Sequence, residues 1–283
     1  MSTKRTWLAY SLYGIALAIF FLYYLFPVEA LKNYAIDRIS RTFPQLSARI
    51  ERARLILPLG LRFENVSLYR QNSPFLNVER VTVKPGLLSL IRGKKSIYYD
   101  IRTSGGRIDG DAILNSDQIT INTDLDKIRL EEIPALHQLM PNSLSGLMSG
   151  KLSFRSDAEN KQQASASLNV IDSIVQLAEP FLNIDSLTFN SVTADMEFQD
   201  RTFKLTRCVF RGEELNGDLS GTALFKANLN QSTLNLSGKL LPNAAFLQSA
   251  GGDTAAAFLQ GSGKNGFPIK IIGTLSSPKV TFN

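Results

Sequence analysis

The longest uncharged stretch of the chain lies near its start, and it limits where such a chain can reside. No Asp, Glu, Lys or Arg occurs from residue 6 to residue 28, in TWLAYSLYGIALAIFFLYYLFPV. A helix of about 20 residues crosses the hydrocarbon core of a bilayer, and Trp and Tyr favour its two interfaces. Aromatic residues stand near both ends of this run. The pattern predicts a transmembrane helix from Trp7 to Phe26.

The residues around this run indicate its orientation. Lys4 and Arg5 precede it, and positive charges are retained on the cytoplasmic side of a membrane. The apolar core of a cleaved signal peptide is usually about 7–15 residues long. This run is longer, although Val28-Glu29-Ala30 loosely resembles a cleavage site. We therefore expect residues 1–28 to be a cytoplasmic stub and an uncleaved anchor, and residues 29–283 to lie outside the cytoplasm.

The segment EALKNYAIDRISRTF, residues 29–43, has the period of a short amphipathic helix. Its apolar residues recur every four positions, at Leu31, Ala35, Ile39 and Phe43. Pro44 ends the pattern. Two placements remain open, because the helix could continue from the anchor along the membrane surface or could cover the sheet that follows.

After residue 49 apolar and polar residues alternate, which is the period of a half-buried β-strand. Strand patterns occupy residues 61–69, 75–83, 96–102, 118–123, 151–156, 163–170, 186–199, 202–210, 215–225, 232–240, 267–275 and 279–282. The first two patterns change phase, at Asn65 and between Val78 and Val81. Such a slip reverses the two faces of a strand unless a bulge absorbs the extra residue.

Strands at this spacing, with turn residues between them, predict a mainly β fold built on a long and mostly antiparallel sheet. A long open sheet rarely stays flat. It either curls around its apolar face into a groove or packs two faces as a sandwich, and the sequence leaves both open. Two short helical inserts are expected, at residues 130–140 and 242–260. The alternation of apolar and polar residues is the sole basis for predicting which side chains line such a groove: Leu61, Phe63, Ile97, Tyr99, Ile101, Ile119 and Ile121.

No motif in the chain indicates catalysis, a metal or a cofactor. Gly105 and Gly106 lie between strand patterns with no following helix, so they indicate a hairpin or a bulge rather than a dinucleotide site. His137 and Cys208 are the only residues of their types, which excludes an intramolecular disulfide and a multi-histidine site. Four aspartates lack the spacing of a calcium loop and are expected in turns: Asp109, Asp111, Asp117 and Asp124. We expect a non-enzymatic protein.

Charge is unevenly distributed along the chain. Residues 29–107 contain fifteen Lys and Arg against six Asp and Glu, whereas residues 108–283 contain fourteen against nineteen. The basic half follows the predicted anchor. It is either a solvated strand face or a surface for anionic lipid headgroups, to which each Lys or Arg contributes about 1 kcal/mol. Arg92, Lys94 and Lys95 are the candidate headgroup contacts. An anchored domain outside the cytoplasm meets no nucleic acid, so none is expected as a partner.

Three segments, in their order along the chain, resemble those of a known family. They are PLGLRFENVSLY at residues 58–69, VERVTVKPGLLSLIRG at residues 78–93 and FPIKIIGTLSSPKV at residues 267–280. With the anchor and the amphipathic helix before them, they resemble the AsmA-like family of bacterial envelope proteins. Within it, the chain is most similar to the type II secretion system protein N (GspN) family. The resemblance covers nearly the whole chain and depends on the order of the motifs.

This resemblance implies a protein of the bacterial inner membrane with a cytoplasmic N-terminus and a periplasmic β-rich domain over residues 29–283. It implies an accessory component of the type II secretion system, whose partners are other secretion-system proteins. The alternative is an AsmA-like lipid-binding or lipid-transfer module, in which an apolar groove takes phospholipid. No catalytic residue is implied. The last strand is expected either to pair with an earlier strand or to offer an edge to a partner.

Overall fold

A computed structural model shows a chain built almost entirely of strands. It describes residues 7, 10, 13, 14, 17, 20, 21, 23–86, 89, 95–115, 117–134, 136, 144–159, 161–181, 184–199, 202–224, 232–243, 246, 266–274 and 277–282. One α-helix, α1 (Val28–Thr42), precedes the strands, and a 3-10 turn occupies Leu130–Glu132. The strands are β1 (Leu46–Ile56), β2 (Gly60–Arg70), β3 (Ser73–Pro85), β4 (Lys95–Thr103), β5 (Gly106–Leu114), β6 (Ile119–Arg129), β7 (Leu144–Ser156), β8 (Gln162–Phe181), β9 (Ile184–Gln199), β10 (Thr202–Gly212), β11 (Leu215–Leu224), β12 (Thr233–Pro242), β13 (Phe267–Thr274) and β14 (Ser277–Phe282).

All fourteen strands belong to one sheet, and their order in the sheet is their order in the chain. Every neighbouring pair is antiparallel. The predicted long antiparallel meander is therefore confirmed. The sheet is open, because β1 and β14 stand at opposite ends of the order and no pairing joins them within the described residues. Within the described residues, no strand belongs to a second sheet.

Tight turns allow each strand to return beside the previous one. Between β4 and β5 only Ser104 and Gly105 intervene, with φ angles of 51° and 66°. Two consecutive positive φ angles define the two-residue turn that matches the twist of a hairpin. Glycine adopts this conformation without strain, and the predicted hairpin at this position is confirmed.

Asn65 absorbs the phase slip that the sequence shows in β2. Its φ angle of 53° places its backbone in the left-handed region, and its side-chain amide donates to Glu51 Oε2 at 2.5 Å. The ladder to β1 and β3 passes over Asn65 and resumes at Val66. As a result Phe63 and Val66 pack in the same apolar cluster, although their spacing in an unbroken strand would put them on opposite faces.

Substitution of Asn65 tests this arrangement. Asn65→Val should destabilise the chain by about 1–2 kcal/mol, because a β-branched residue is strained in the left-handed region. Asn65→Gly loses the hydrogen bond to Glu51 but keeps the backbone conformation, so it should cost less. Chemical denaturation of both variants provides the measurement. If valine is tolerated as well as glycine, the left-handed residue does not determine the register.

The predicted amphipathic helix is confirmed as α1, which begins one residue earlier than expected and ends at Thr42. Its residues Ala35 and Ile36 pack on a cluster of buried side chains from the first three strands. That cluster consists of Ile50, Val66 and Val78. Of the two placements that the sequence left open, the structure therefore has the helix covering the start of the sheet.

Some boundaries and two strands differ from the sequence prediction. Asp109 and Asp111 lie on β5 and Asp124 lies on β6, so the expectation that these residues occupy turns was wrong. The strands β1 and β5 were not among the predicted segments, although Ile108, Ala112 and Leu114 alternate within β5. The strands β7 and β8 are also longer than predicted. The first part of β7, LSGLMSG, is rich in Gly and Ser, which obscured the alternation there.

The two predicted helical inserts are described only in part. The first contains the 3-10 turn, and its Leu130 is buried with 5% exposure. In the second, Phe246 is helical and buried with 4% exposure. Residues 135 and 137–140 of the first insert, which include His137, lie outside the described residues, as do residues 244, 245 and 247–260 of the second, which include Gly251 and Gly252.

The predicted anchor also falls largely outside the described residues. Among the residues that are described, no helix has the length and apolarity needed to span a bilayer. Those between residues 7 and 24 are helical, and their large apolar side chains are exposed, with Trp7 at 76% and Tyr24 at 78%. The transmembrane helix remains a prediction.

Candidate apolar binding face

The strand register brings apolar residues from distant parts of the chain into continuous rows. Residues directly opposite each other on neighbouring strands point to the same side of a sheet. One such row, the central row, crosses the sheet from β1 to β13. It consists of Ala53, Phe63, Val81, Ile101, Ile108, Leu125, Gly150, Leu168, Ala194, Cys208, Leu219, Gly238 and Ile269. It contains no charged residue and no polar side chain other than the thiol.

Parallel rows flank the central row on the same side of the sheet. The second row contains Leu55, Leu61, Val83, Tyr99, Gly110, Thr123, Leu152, Ala166, Met196, Leu205, Gly221, Leu236 and Ile271. The third contains Ile97, Ala112, Ile121, Phe154, Ala164, Phe198, Phe203, Ala223 and Leu234. A fourth runs through Ile128, Met148, Val170, Val192, Phe210, Gly217, Leu240 and Phe267. We call these four rows the apolar face.

The two hydroxyl groups of the second row, those of Tyr99 and Thr123, form a hydrogen bond with each other. Tyr99 extends across Gly110, whose missing side chain leaves space for the ring. Its hydroxyl lies 2.5 Å from Thr123 Oγ1 and donates to the carbonyl of Asn122 at 3.0 Å. A Cβ on Gly110 would lie 2.6 Å from this hydroxyl. Glycine is therefore required here for a close side-chain contact, and the row presents little unsatisfied polarity.

Side chains of the apolar face are only partly shielded from solvent. Every residue of the central row is half-buried except Ile269, which is buried. Only ten apolar residues of the described chain are buried, whereas a packed core of this length would bury many more. The apolar face is therefore covered less completely than the interior of a closed domain. Along the strand-to-strand direction its central row extends roughly 60 Å, at about 4.8 Å per strand.

The opposite side of the sheet is polar. Its middle row reads Arg54, Arg62, Thr82, Asp100, Asp109, Asp124, Lys151, Ser167, Asp195 and Arg207. Asp195 accepts from Ser167 at 2.7 Å and pairs with Arg207 at 2.8 Å. The hydrogen bond from Ser167 and the Arg207 guanidinium lower the pKa of the Asp195 carboxyl below its usual range. This polar face is a charged surface, in contrast to the apolar face behind it.

All seven residues that the sequence nominated as groove lining lie on the same side of the sheet as the apolar face. Phe63 and Ile101 belong to the central row, Leu61 and Tyr99 to the second, and Ile97 and Ile121 to the third. Ile119 lies two residues before Ile121 on β6, outside the four rows, and its side chain is on the same side of the sheet as that of Ile121. The structure thus brings these seven together.

Of the three candidate headgroup contacts, only Lys95 is described. It is the exposed first residue of β4 and lies two residues before Ile97. Its place is therefore at the end of a strand, on the side of the apolar face. Arg92 and Lys94 lie outside the described residues.

Concave regions occur on both sides of the sheet. On the apolar face a concavity of about 310 Å³ spans β6 to β10. Most of its lining is apolar, including Ile121, Leu152, Phe154, Ala164, Met196, Phe198 and Phe203, and Thr123, Ser153, Ser165 and Glu197 complete it. Larger concavities of about 480 Å³ and 620 Å³ lie between the same strands, with Ser, Asn and charged residues in their lining. Acyl chains require a continuous apolar lining, and of these three concavities the one on the apolar face has the largest share of apolar residues in its lining.

Cys208 occupies the centre of the apolar face, between Ala194 and Leu219. It is half-buried, and burial raises the pKa of its thiol. The thiol therefore stays protonated at pH values where an exposed cysteine begins to ionise. Sequence reasoning did not place Cys208 here, because its neighbours in the row come from other strands.

No family model, curated protein or solved structure matches the chain.

Proposed function

We propose that this chain is a non-enzymatic, membrane-anchored protein whose apolar face binds the acyl chains of lipids. The observation that supports this proposal most is the continuity of the central row across thirteen strands of one open sheet. Folding leaves this row half-buried. An acyl chain laid along it would remove further apolar surface from water, at about 25 cal/mol per Å².

Two further features support the proposal. Exposed aromatic residues at helical positions before α1, such as Tyr10 and Tyr13, suit a membrane anchor. The helix α1 then packs on the first strands of the sheet, which would hold one end of the apolar face near the membrane. Lys95 stands at the border of that face, where a cation would meet a lipid headgroup. The resemblance to AsmA-like proteins agrees with this function.

The native cysteine allows a direct test in membranes. The full chain is labelled at Cys208 with a benzophenone maleimide, irradiated in membrane vesicles and analysed by mass spectrometry for phospholipid adducts. Labelling needs long incubation at mildly alkaline pH, because the raised pKa of the thiol slows its reaction. We expect a lipid adduct at Cys208.

The matched control is the double variant Cys208→Ser, Gln163→Cys, which moves the label to an exposed position on the polar side of β8. This control should give no lipid adduct above background. Equal adduct yields from the two positions, or none from Cys208, would refute acyl-chain binding on the apolar face.

A second candidate function is that of an accessory component of the type II secretion system in the periplasm. The observation that favours it is the pair of sheet ends, because β1 and β14 each have one described neighbour. A strand edge of this kind accepts a partner strand through backbone hydrogen bonds. Deletion of the gene should then impair exoprotein secretion in a host that depends on this machine, and unchanged secretion would exclude the role.

A further inference from the structure

Several arginines meet on the polar face of the first five strands, on the side away from the apolar face. Arg80 of β3 lies directly opposite Arg102 of β4, and Arg102 lies directly opposite Arg107 of β5. Arg62 of β2 and Lys84 of β3 flank this line, and all five line one concavity of about 570 Å³. Like charges directly opposite each other on neighbouring strands repel. An arrangement of this kind requires a source of negative charge.

Among the described residues, Arg107 is the only one of these five cations in a salt bridge. Glu64 lies directly opposite Arg80 but pairs with Arg54 at 3.8 Å. Arg107 Nε lies 2.6 Å from Asp100 Oδ2 and 3.4 Å from Asp109 Oδ1. Within the described part of the chain, Arg62, Arg80, Lys84 and Arg102 pair with no carboxylate. We call these four residues the arginine cluster.

The remaining acids of the concavity lie at its far end. Asp124 of β6 is 3.5 Å from Lys151, and Asp111 of β5 accepts from the side-chain amide of Asn122 at 3.5 Å. Asp100 and Asp109 both contact Arg107, whose single positive charge offsets one of their two negative charges. The concavity therefore has a positive end on β2 to β4 and an acidic end on β5 and β6.

Arg62 provides a second indication that an anion binds at this surface. Its Nε is buried and has no acceptor among the described residues, which is uncommon for a buried donor. Beneath the cluster lies Thr82, a polar residue buried to 7% exposure on the same face. The concavity that the guanidinium groups line therefore also contains the hydroxyl of the buried Thr82 and the exposed ring of Tyr98.

We propose that the arginine cluster binds a phosphate group. The planar guanidinium donates two parallel hydrogen bonds to a phosphate, and it does so better than the ammonium of lysine. Several arginines on adjacent strands surround one dianion without any change of the backbone. The site is separate from the acyl-binding face, since it lies on the opposite side of the sheet. The phosphate comes either from a lipid headgroup or from a soluble phosphate compound.

The experiment measures how fast each arginine of the full chain reacts with phenylglyoxal, by peptide mass spectrometry. In neutral detergent, inorganic phosphate is compared with chloride at equal ionic strength. At ten times its dissociation constant, phosphate should slow modification of Arg62, Arg80 and Arg102 about tenfold. Arg155, an exposed arginine on the polar side of β7, is the internal control and should react at an unchanged rate. Equal rates with and without phosphate at all four arginines would overturn the proposal.

Two further arms identify the source of the phosphate group. In phosphate-free buffer, nanodiscs of phosphatidylcholine are compared with nanodiscs that also contain phosphatidylglycerol. Protection by phosphatidylglycerol supports a headgroup, whereas protection by inorganic phosphate alone supports a soluble ligand. A polyglutamate peptide is the third probe. If it protects the arginine cluster and neither phosphate source does, the surface binds an acidic protein and the phosphate proposal is wrong.

A variant confirms that the arginines act together. In Arg80→Gln, Arg102→Gln the protection of Arg62 by phosphate should disappear, while Arg155→Gln should leave it unchanged. Circular dichroism establishes that each variant is folded. If the double variant does not fold, the comparison of arginines within the native chain decides the matter alone.

Discussion

Leu168→Asp is expected to lower acyl-chain binding about 10- to 100-fold while the chain remains folded. Leu168 lies in the central row and is half-buried. Burial of one leucine side chain is worth about 1.5–3 kcal/mol, and an aspartate in its place would have to be dehydrated by the bound chain. Cys208 is two strands away in the same row. The yield of lipid adduct at Cys208 therefore measures the effect.

The comparison for this substitution is Gln163→Asp on the same strand. Gln163 is exposed on the polar side, so the same new charge should change neither stability nor adduct yield. If Leu168→Asp unfolds the chain, the central row belongs to a closed core and the acyl-binding proposal fails. The proposal also fails if both variants give the adduct yield of the native chain.

Phe210→Ala is expected to have the largest effect on stability, about 3–5 kcal/mol. Phe210 is 8% exposed and packs edge-on against Phe189, with ring centroids 5.6 Å apart. Its ring also covers Gly217, where a Cβ would approach it to 2.5 Å. Loss of this ring leaves a cavity between two strands and the exposed backbone of a glycine. The free energy of unfolding from chemical denaturation gives the measurement.

Phe203→Ala on the same strand is the matched control for this loss. Phe203 lies in the third row and is only half-buried, so its truncation should cost clearly less than that of Phe210. This difference separates the packed region around Phe210 from the partly open remainder of the apolar face. Equal losses would mean that both phenylalanines belong to one continuous core.

Local patterns predicted most of the individual elements, because their causes are local. Ile97, Tyr99 and Ile101 alternate, and each lies on the expected side of β4. The strand β5 was missed because Asp109 and Asp111 resemble turn residues. Both instead point from a strand to the polar face, where Asp109 pairs with Arg107 at 3.4 Å. A carboxylate is compatible with a strand when a cation on the same face meets it.

The phase slip in β2 shows more clearly what the alternation of apolar and polar residues cannot predict. Alternation indicates a change of face at Asn65, and the sequence does not show whether a bulge or a reversal follows. The outcome depends on one φ angle of 53° and on the amide of Asn65 reaching Glu51 of the neighbouring strand. Such a contact exists only after the two strands have paired.

The sequence by itself determined the period of two along the strands, the amphipathic helix at Val28–Thr42 and the two-residue turn at Ser104 and Gly105. These features depend on residues within a few positions of one another. Only the tertiary structure decided which residues lie side by side across the sheet. It placed Cys208 within the central row and Arg80 opposite Arg102. The reason is that cross-strand neighbours follow from register, and register depends on turn lengths and bulges summed along the whole meander.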